Sequence, residues 1–125
     1  MISIENVSFR YAGAETQNVF SLNLRVPKGE CVLICGPSGS GKTTVARLIG
    51  GLIPRFFGGK LTGSLKLNGE DMRNMTVEEI TSTVGSVFQD PRSQFFTTDT
   101  TSEMAFTCEN MGVPRDEMLD RIALS

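Results

Sequence analysis

Apolar positions along the chain fall into short blocks whose period changes from one block to the next. Ile2 and Ile4 alternate with polar neighbours, and Val7, Phe9 and Tyr11 alternate on the opposite parity, which predicts a strand with a break or bulge near Glu5-Asn6. Phe20, Leu22, Leu24 and Val26 predict a second strand, ended by the turn Pro27-Lys28-Gly29-Glu30. The run CVLIC, residues 31–35, is apolar on both parities and predicts a strand covered on both faces. Beyond a glycine-rich stretch, Val45, Leu48, Ile49 and Leu52 stand at i, i+3, i+4 and i+7, a helix stripe ended by Gly50-Gly51 and Pro54. PRFFGGKLTG, residues 54–63, predicts a loop, and Leu65 with Leu67 a short strand closed by Asn68-Gly69. Thr76 and Glu79 have capping-box spacing for a short helix. VGSVF, residues 84–88, predicts another compact strand, broken by Pro91. Thr100 and Glu103 repeat the capping-box spacing before a stripe of Met104, Ala105, Cys108 and Met111. Pro114 opens a last helix, with Asp116 and Glu117 in its first turn and Met118, Leu119, Ile122 and Ala123 as its apolar face.

Composition sharpens this picture mainly by exclusion. The 125 residues are 39% hydrophobic and 21% charged, which suits one ordered domain or part of a larger one. A net charge of −2 gives no basic excess, so no nucleic-acid partner is expected. The chain has no histidine, which removes imidazole catalysis and His-based metal sites. Cys31 and Cys35, four residues apart on an extended strand, would sit roughly 13 Å apart, too far for a disulfide. With Cys108 they read as reduced thiols acting as small core side chains in a cytosolic protein. No apolar run approaches the ~20 residues of a membrane span. MISIENVSFRY alternates and lacks a basic leader, so a signal peptide is not expected.

Gly36-Pro37-Ser38-Gly39-Ser40-Gly41-Lys42-Thr43-Thr44 carries the candidate chemistry. A glycine, four residues, then Gly-Lys-Thr is the P-loop spacing. Consecutive backbone N–H groups must curl around a β-phosphate, and side chains at Gly36, Gly39 and Gly41 would block that approach. The following helix directs its positive end at the anion. Lys42 reaches the β- and γ-phosphates as a mobile point charge, and Thr43 offers its hydroxyl to Mg²⁺. The competing reading is a plain glycine-rich turn. Typical residue frequencies put a chance match in a chain this long below about 1%.

Two further residues narrow the class. Tyr11, after the first strand, has an aromatic face suited to adenine. Gln89, leaving the VGSVF strand, is placed to reach Mg²⁺ or an attacking water. In this order the aromatic, the loop and VFQDP resemble the nucleotide-binding subunit of ABC transporters. Tyr11 matches that family's A-loop, residues 36–44 its Walker A and Gln89 its Q-loop. The stretch VGSVFQDPRSQFFTTDTTSEMAFTCENMGVPRDEM is similar to one branch, the ATPase subunits of energy-coupling-factor and cobalt-type importers, through Gln94, Thr101, Glu103, Ala105, Phe106, Glu109, Asn110, Gly112 and Pro114.

The resemblance implies a fold class: an α/β P-loop NTPase core with an antiparallel β subdomain, cut off before the helical half that bears the signature. It implies that residues 1–125 form a partial ABC-type ATP-binding domain using ATP and Mg²⁺. Cofactor contacts fall on Tyr11, Gly36, Ser38, Gly39, Ser40, Gly41, Lys42, Thr43 and Thr44, metal contacts on Thr43 and Gln89, and catalytic roles on Lys42 and Gln89. The implied partners are a membrane-embedded transporter subunit, docking after Gln89, and a second ATPase subunit. The implied location is the cytoplasmic face of the cell membrane, and the implied cargo a vitamin or transition-metal ion. Phe95 and Phe96 either fill a partner's groove or pack in the core, and residue type does not separate the two. No LSGGQ-like signature, no apolar run ending in Asp-Glu and no switch histidine is present in the 125 residues. The chain by itself is therefore expected not to hydrolyse ATP, and an uncovered sheet edge beside CVLIC is expected to favour self-association. A non-transport ABC ATPase, such as a DNA-repair member, and a regulatory or structural nucleotide-binding fragment without turnover are the alternatives.

Overall fold

The bulge foreseen near Asn6 organises the first part of the molecule. In the computed structural model, which describes residues 1–125 apart from the side chain of Pro91, β1 runs Ile2–Tyr11 and Asn6 takes φ 50°. Its register against β2 (Val19–Val26) shifts between Ile4 and Val7, and against β3 (Gly59–Leu67) between Glu5 and Ser8. Ile4 and Val7 have opposite parity, yet both are buried. Without the extra residue one of them would face solvent.

The sheet is antiparallel throughout, in the order β2-β1-β3-β4, where β4 is the short Glu70–Asp71. Asn68 (φ 52°) and Gly69 (φ 93°) join β3 to β4 in the doubly positive conformation of a two-residue hairpin turn. Against this sheet packs α1, Lys42–Ile49, through Val45 and Leu48. Ile4, Val7, Phe9, Val19, Ile53, Leu65, Leu67, Met72 and Ile80 complete one buried cluster. Each large apolar side chain hidden in this way contributes about 1.5–3 kcal/mol. The helix α2, Val77–Thr81, starts with the expected capping box: Glu79 N–H donates to Thr76 Oγ1, and Thr76 N–H to the Glu79 carboxylate.

The chain divides into two compact units, residues 1–86 and 87–125. The second holds a 3-10 turn at Pro91–Gln94, then α3 (Thr100–Asn110) and α4 (Arg115–Leu124), which pack on each other. α3 ends in a Schellman motif. Gly112 (φ 67°) N–H donates to Glu109 O, and Val113 N–H to Cys108 O, before Pro114 opens α4.

Several expectations need correction. Residues 31–35 are neither a strand nor buried. Leu33 is 83% exposed, and Cys31 and Cys35 are exposed free thiols rather than core side chains. Residues 84–88 are likewise outside any strand, and Val87 is 86% exposed. A run that is apolar on both faces becomes a strand only beside neighbours that accept its hydrogen bonds, and among the described residues none pairs with either run. The side chain of Pro91, expected to break the second run, lies outside the described atoms.

The loop expected over residues 54–63 instead gives its last five residues to β3, where Tyr11 pairs with Gly59. Glycine is required there for space. A Cβ on Gly59 would meet the Phe9 ring at 2.7 Å, and one on Gly63 (φ 89°) would meet Val7 Cα at 2.7 Å. Finally, Asp99, not Thr100, caps α3, accepting from Ser102 N–H at 2.9 Å and Ser102 Oγ at 2.7 Å. Glu103 turns back to the preceding segment and accepts from Phe96 N–H, Thr97 N–H and Thr97 Oγ1 at 2.9–3.0 Å. These hydrogen bonds hold its carboxyl, like that of Asp99, below the ordinary range.

Candidate functional site

The glycine loop takes its shape from its own backbone. Gly39 (φ 81°) and Gly41 (φ 90°) lie in the left-handed region, and Ser40 N–H donates to Pro37 O at 3.2 Å to close the turn. A Cβ on Gly36 would come within 2.8 Å of Ser40 Oγ, and one on Gly41 within 2.7 Å of Asn18 O. Asn18 is fixed in turn by β1, donating its N–H to Phe9 O and accepting from Tyr11 N–H. The loop is thus seated directly on the turn region between β1 and β2.

Gly41 is the N-cap of α1, and no side chain caps this end. The first-turn N–H groups of Lys42, Thr43 and Thr44 therefore lack an intrahelical partner and face outward with the positive end of the helix dipole. Lys42 folds back over the loop. Its Nζ donates to Gly36 O (2.9 Å), Pro37 O (2.6 Å) and Ser40 Oγ (3.2 Å). The ammonium, the helix end and the glycine backbone all belong to one short segment, and each is a group that suits a polyphosphate. Ser38 and Thr43 are exposed beside it. Thr43 offers a hydroxyl, a hard donor of the kind Mg²⁺ takes. Among the described residues no cluster of His, Cys, Asp or Glu could hold a metal by itself.

Thr44 is buried, and its Oγ1 stands 3.4 Å from the Tyr11 hydroxyl. Tyr11 is partly buried, edge-on to Phe9 (4.8 Å between centroids) and to Phe57 (6.4 Å). Arg47 Nη1 donates to its hydroxyl at 3.1 Å. Tyr11, Gly36 and residues 38–44 all belong to the first unit. Gln89 is exposed at a bend in the second. Phe95 (63%) and Phe96 (78%) stand out to solvent, with Phe96 stacked on Phe106 at 5.0 Å, which decides against core packing for the pair.

The model of the ABC transporter family matches residues 19–124, which takes in the glycine loop, α1 and all but the last residue of the second unit. The chain belongs to the ABC transporter family. A Treponema denticola protein provisionally named an ABC transporter ATP-binding protein is 48% identical over 122 residues, 98% of this chain and 25% of that protein. A Pyrococcus abyssi protein with the same provisional name is 43% identical over 98% of this chain and 44% of its own length. A third, from Methanosarcina mazei, is 38% identical over the whole chain and 21% of its own length. The chain thus spans between about a fifth and just under half of these curated relatives. It is an ATP-binding-domain sequence of mixed α/β structure with an antiparallel sheet. Among the described residues, no helix is long and apolar enough to cross a membrane.

Sequence reasoning missed Asn18, Arg47 and Phe57, all now seen to support the loop or Tyr11. Arg47 lay in plain view, one helical turn after Thr43, but nothing local marks its partners as Tyr11 and Phe57.

Proposed function

We propose that this chain is the ATP-binding portion of an importer ATPase of the energy-coupling-factor or cobalt-type branch. The observation that carries the nucleotide part is the uncapped α1 terminus with Lys42 laid over a glycine loop in which a Cβ at Gly36 or Gly41 would clash. The importer part is supported by the run from Val84 to Met118 and by Phe95 and Phe96, exposed where a membrane subunit would dock. In this reading loop amides and Lys42 hold the phosphates, Tyr11 presents an aromatic edge of the base site, and Thr43 with Gln89 would hold Mg²⁺. The ion would neutralise charge on the β- and γ-phosphates. The chain would work at the cytoplasmic face of the membrane, paired with a second ATPase subunit. The exposed apolar residues 32–34 favour association with another chain.

Within this reading the 125 residues bind ATP without turning it over. Phosphoryl transfer needs groups on several sides of the γ-phosphate. Lys42, Thr43 and the loop supply one side, and Gln89 part of another. A general base contributes typically 10²–10⁴-fold and a positioned donor about 10²–10³-fold. The sequence offers neither the acidic residue after an apolar run nor the signature, so turnover should fall by about 10⁴-fold or more. Calorimetry and a steady-state ATPase assay on the same sample test this. Binding without turnover is expected. Turnover within tenfold of an intact relative, abolished by Lys42→Ala, would overturn it.

A further inference from the structure

Tyr11 does not stand alone. Its hydroxyl accepts a hydrogen bond from Arg47 at 3.1 Å, and the Arg47 guanidinium lies over the Phe57 ring, 4.2 Å from Cζ to centroid. Phe57 meets Tyr11 edge-on, so the three side chains close a small circuit. Among the described residues no acidic side chain pairs with Arg47, so its charge is placed by one phenol and one aromatic face. Both anchors are firm. Arg47 is on α1, the helix that begins at Lys42, and Phe57 packs on the buried cluster with its N–H bonded to Leu52 O. Thr44 Oγ1, one helical turn before Arg47, lies 3.4 Å from the same hydroxyl. Tyr11 is therefore held at its hydroxyl by one face of the helix whose N-terminus carries the glycine loop.

We propose that Arg47 and Phe57 are positioning residues for the base site: they fix the tilt of the Tyr11 ring relative to α1, and so set purine affinity without touching nucleotide. This rests on the reading of Tyr11 as the base platform. A free tyrosine at a strand end samples several rotamers, and ordering one on binding costs affinity; a ring already held in place avoids that cost. Coupling through α1 also ties base and phosphate ends to one rigid element, so a nucleotide is measured against a fixed span.

Tyr11 is the sole tyrosine of the chain, and there is no tryptophan, so intrinsic fluorescence reports on it directly. In the 125-residue chain, Arg47→Ala should raise acrylamide quenching of Tyr11. It should also weaken ATP about three- to tenfold, the equivalent of one lost hydrogen bond. Affinity for inorganic tripolyphosphate should stay unchanged. Arg47→Lys, which keeps the charge and a donor, should fall between, and Phe57→Leu should act in the same direction as Arg47→Ala. Unchanged quenching and ATP affinity in Arg47→Ala, with Tyr11→Ala still weakening ATP, would overturn the inference and leave the base-platform reading intact. Tyr11→Ala binding ATP as tightly as the parent would remove both. Equal loss of ATP and tripolyphosphate in every variant would show a purely structural role and overturn the inference. If Arg47→Ala does not fold, Arg47→Lys and Phe57→Leu decide by the same readings.

Discussion

Phe9, Ile4, Leu48, Ile53, Ile80 and Val7 are the most deeply buried large side chains, and all lie in the first unit. In the second, α3 and α4 bury no residue, and Met104, Met111, Leu119 and Leu124 face solvent. The first unit closes on itself through pairings distant in sequence, such as Ile4 with Leu65 and Val7 with Leu22. The second is held by local devices: the Asp99 cap, the Glu103 clamp on residues 96–97, the Schellman turn and the exposed Glu117–Arg121 pair. A cap contributes about 1 kcal/mol, and an exposed ion pair less. The contrast teaches that the unit bearing the glycine loop has its own core, whereas the unit bearing Gln89 leaves several large apolar side chains exposed.

Core truncation should separate the units most widely. Phe9→Ala should cost about 3–5 kcal/mol in urea unfolding, whereas Leu119→Ala should stay within about 0.5 kcal/mol. Comparable losses would mean that the second unit packs on something as tightly as the first does. Next comes backbone fit in the sheet. Gly63→Ala places a Cβ against Val7 Cα at φ 89°, and the left-handed conformation alone costs about 1–2 kcal/mol. The same titration reads it, and a neutral result would show that β3 stands further from β1.

Asp99→Ala should cost about 1 kcal/mol, confined to the second unit. Hydrogen exchange should quicken in α3 and leave β1 and β3 unchanged; quickening in both would contradict their separateness. The smallest effect belongs to Asp71, whose hydrogen bonds to Arg73 lower its pKa from 3.8 to about 2. Since the folded pKa is the depressed one, the pair stabilises the first unit above pH 3.8, and this is lost as pH falls towards 2. Arg73 is exposed and Asp71 half-buried, so solvent screens the pair and the contribution is small. Asp71→Asn should narrow its stability deficit over that window, and a deficit constant down to pH 2 would contradict the assignment.

The features legible in the sequence are those specified locally. The glycine spacing, the parity switch at Asn6, the Asn68-Gly69 turn and the Thr76–Glu79 box each need only a few neighbouring residues. What escaped depends on partners far along the chain. CVLIC and VGSVF carry the composition of covered strands, but composition does not supply the neighbours. Gly59 and Gly63 read as loop residues because their reason, the approach of β1, is invisible in one dimension. Thr100 lost its cap to Asp99, whose carboxylate sits one residue earlier and bonds both Ser102 groups. Among the site residues, the loop was legible from its spacing, while the Arg47–Phe57 grip on Tyr11 was not, since it joins α1 to two separate segments.

The central claim is that the segment from Gly36 to Thr44 is the phosphate site of an ABC ATP-binding domain. Binding of ATP and of adenosine to the parent chain and to Lys42→Ala tests it most directly. Lys42 touches only the loop, so its removal should weaken ATP by about 1.5–3 kcal/mol, the value of a hydrogen bond to a charged group, and leave adenosine unchanged. Equal loss for both ligands, or none for ATP, would contradict the account.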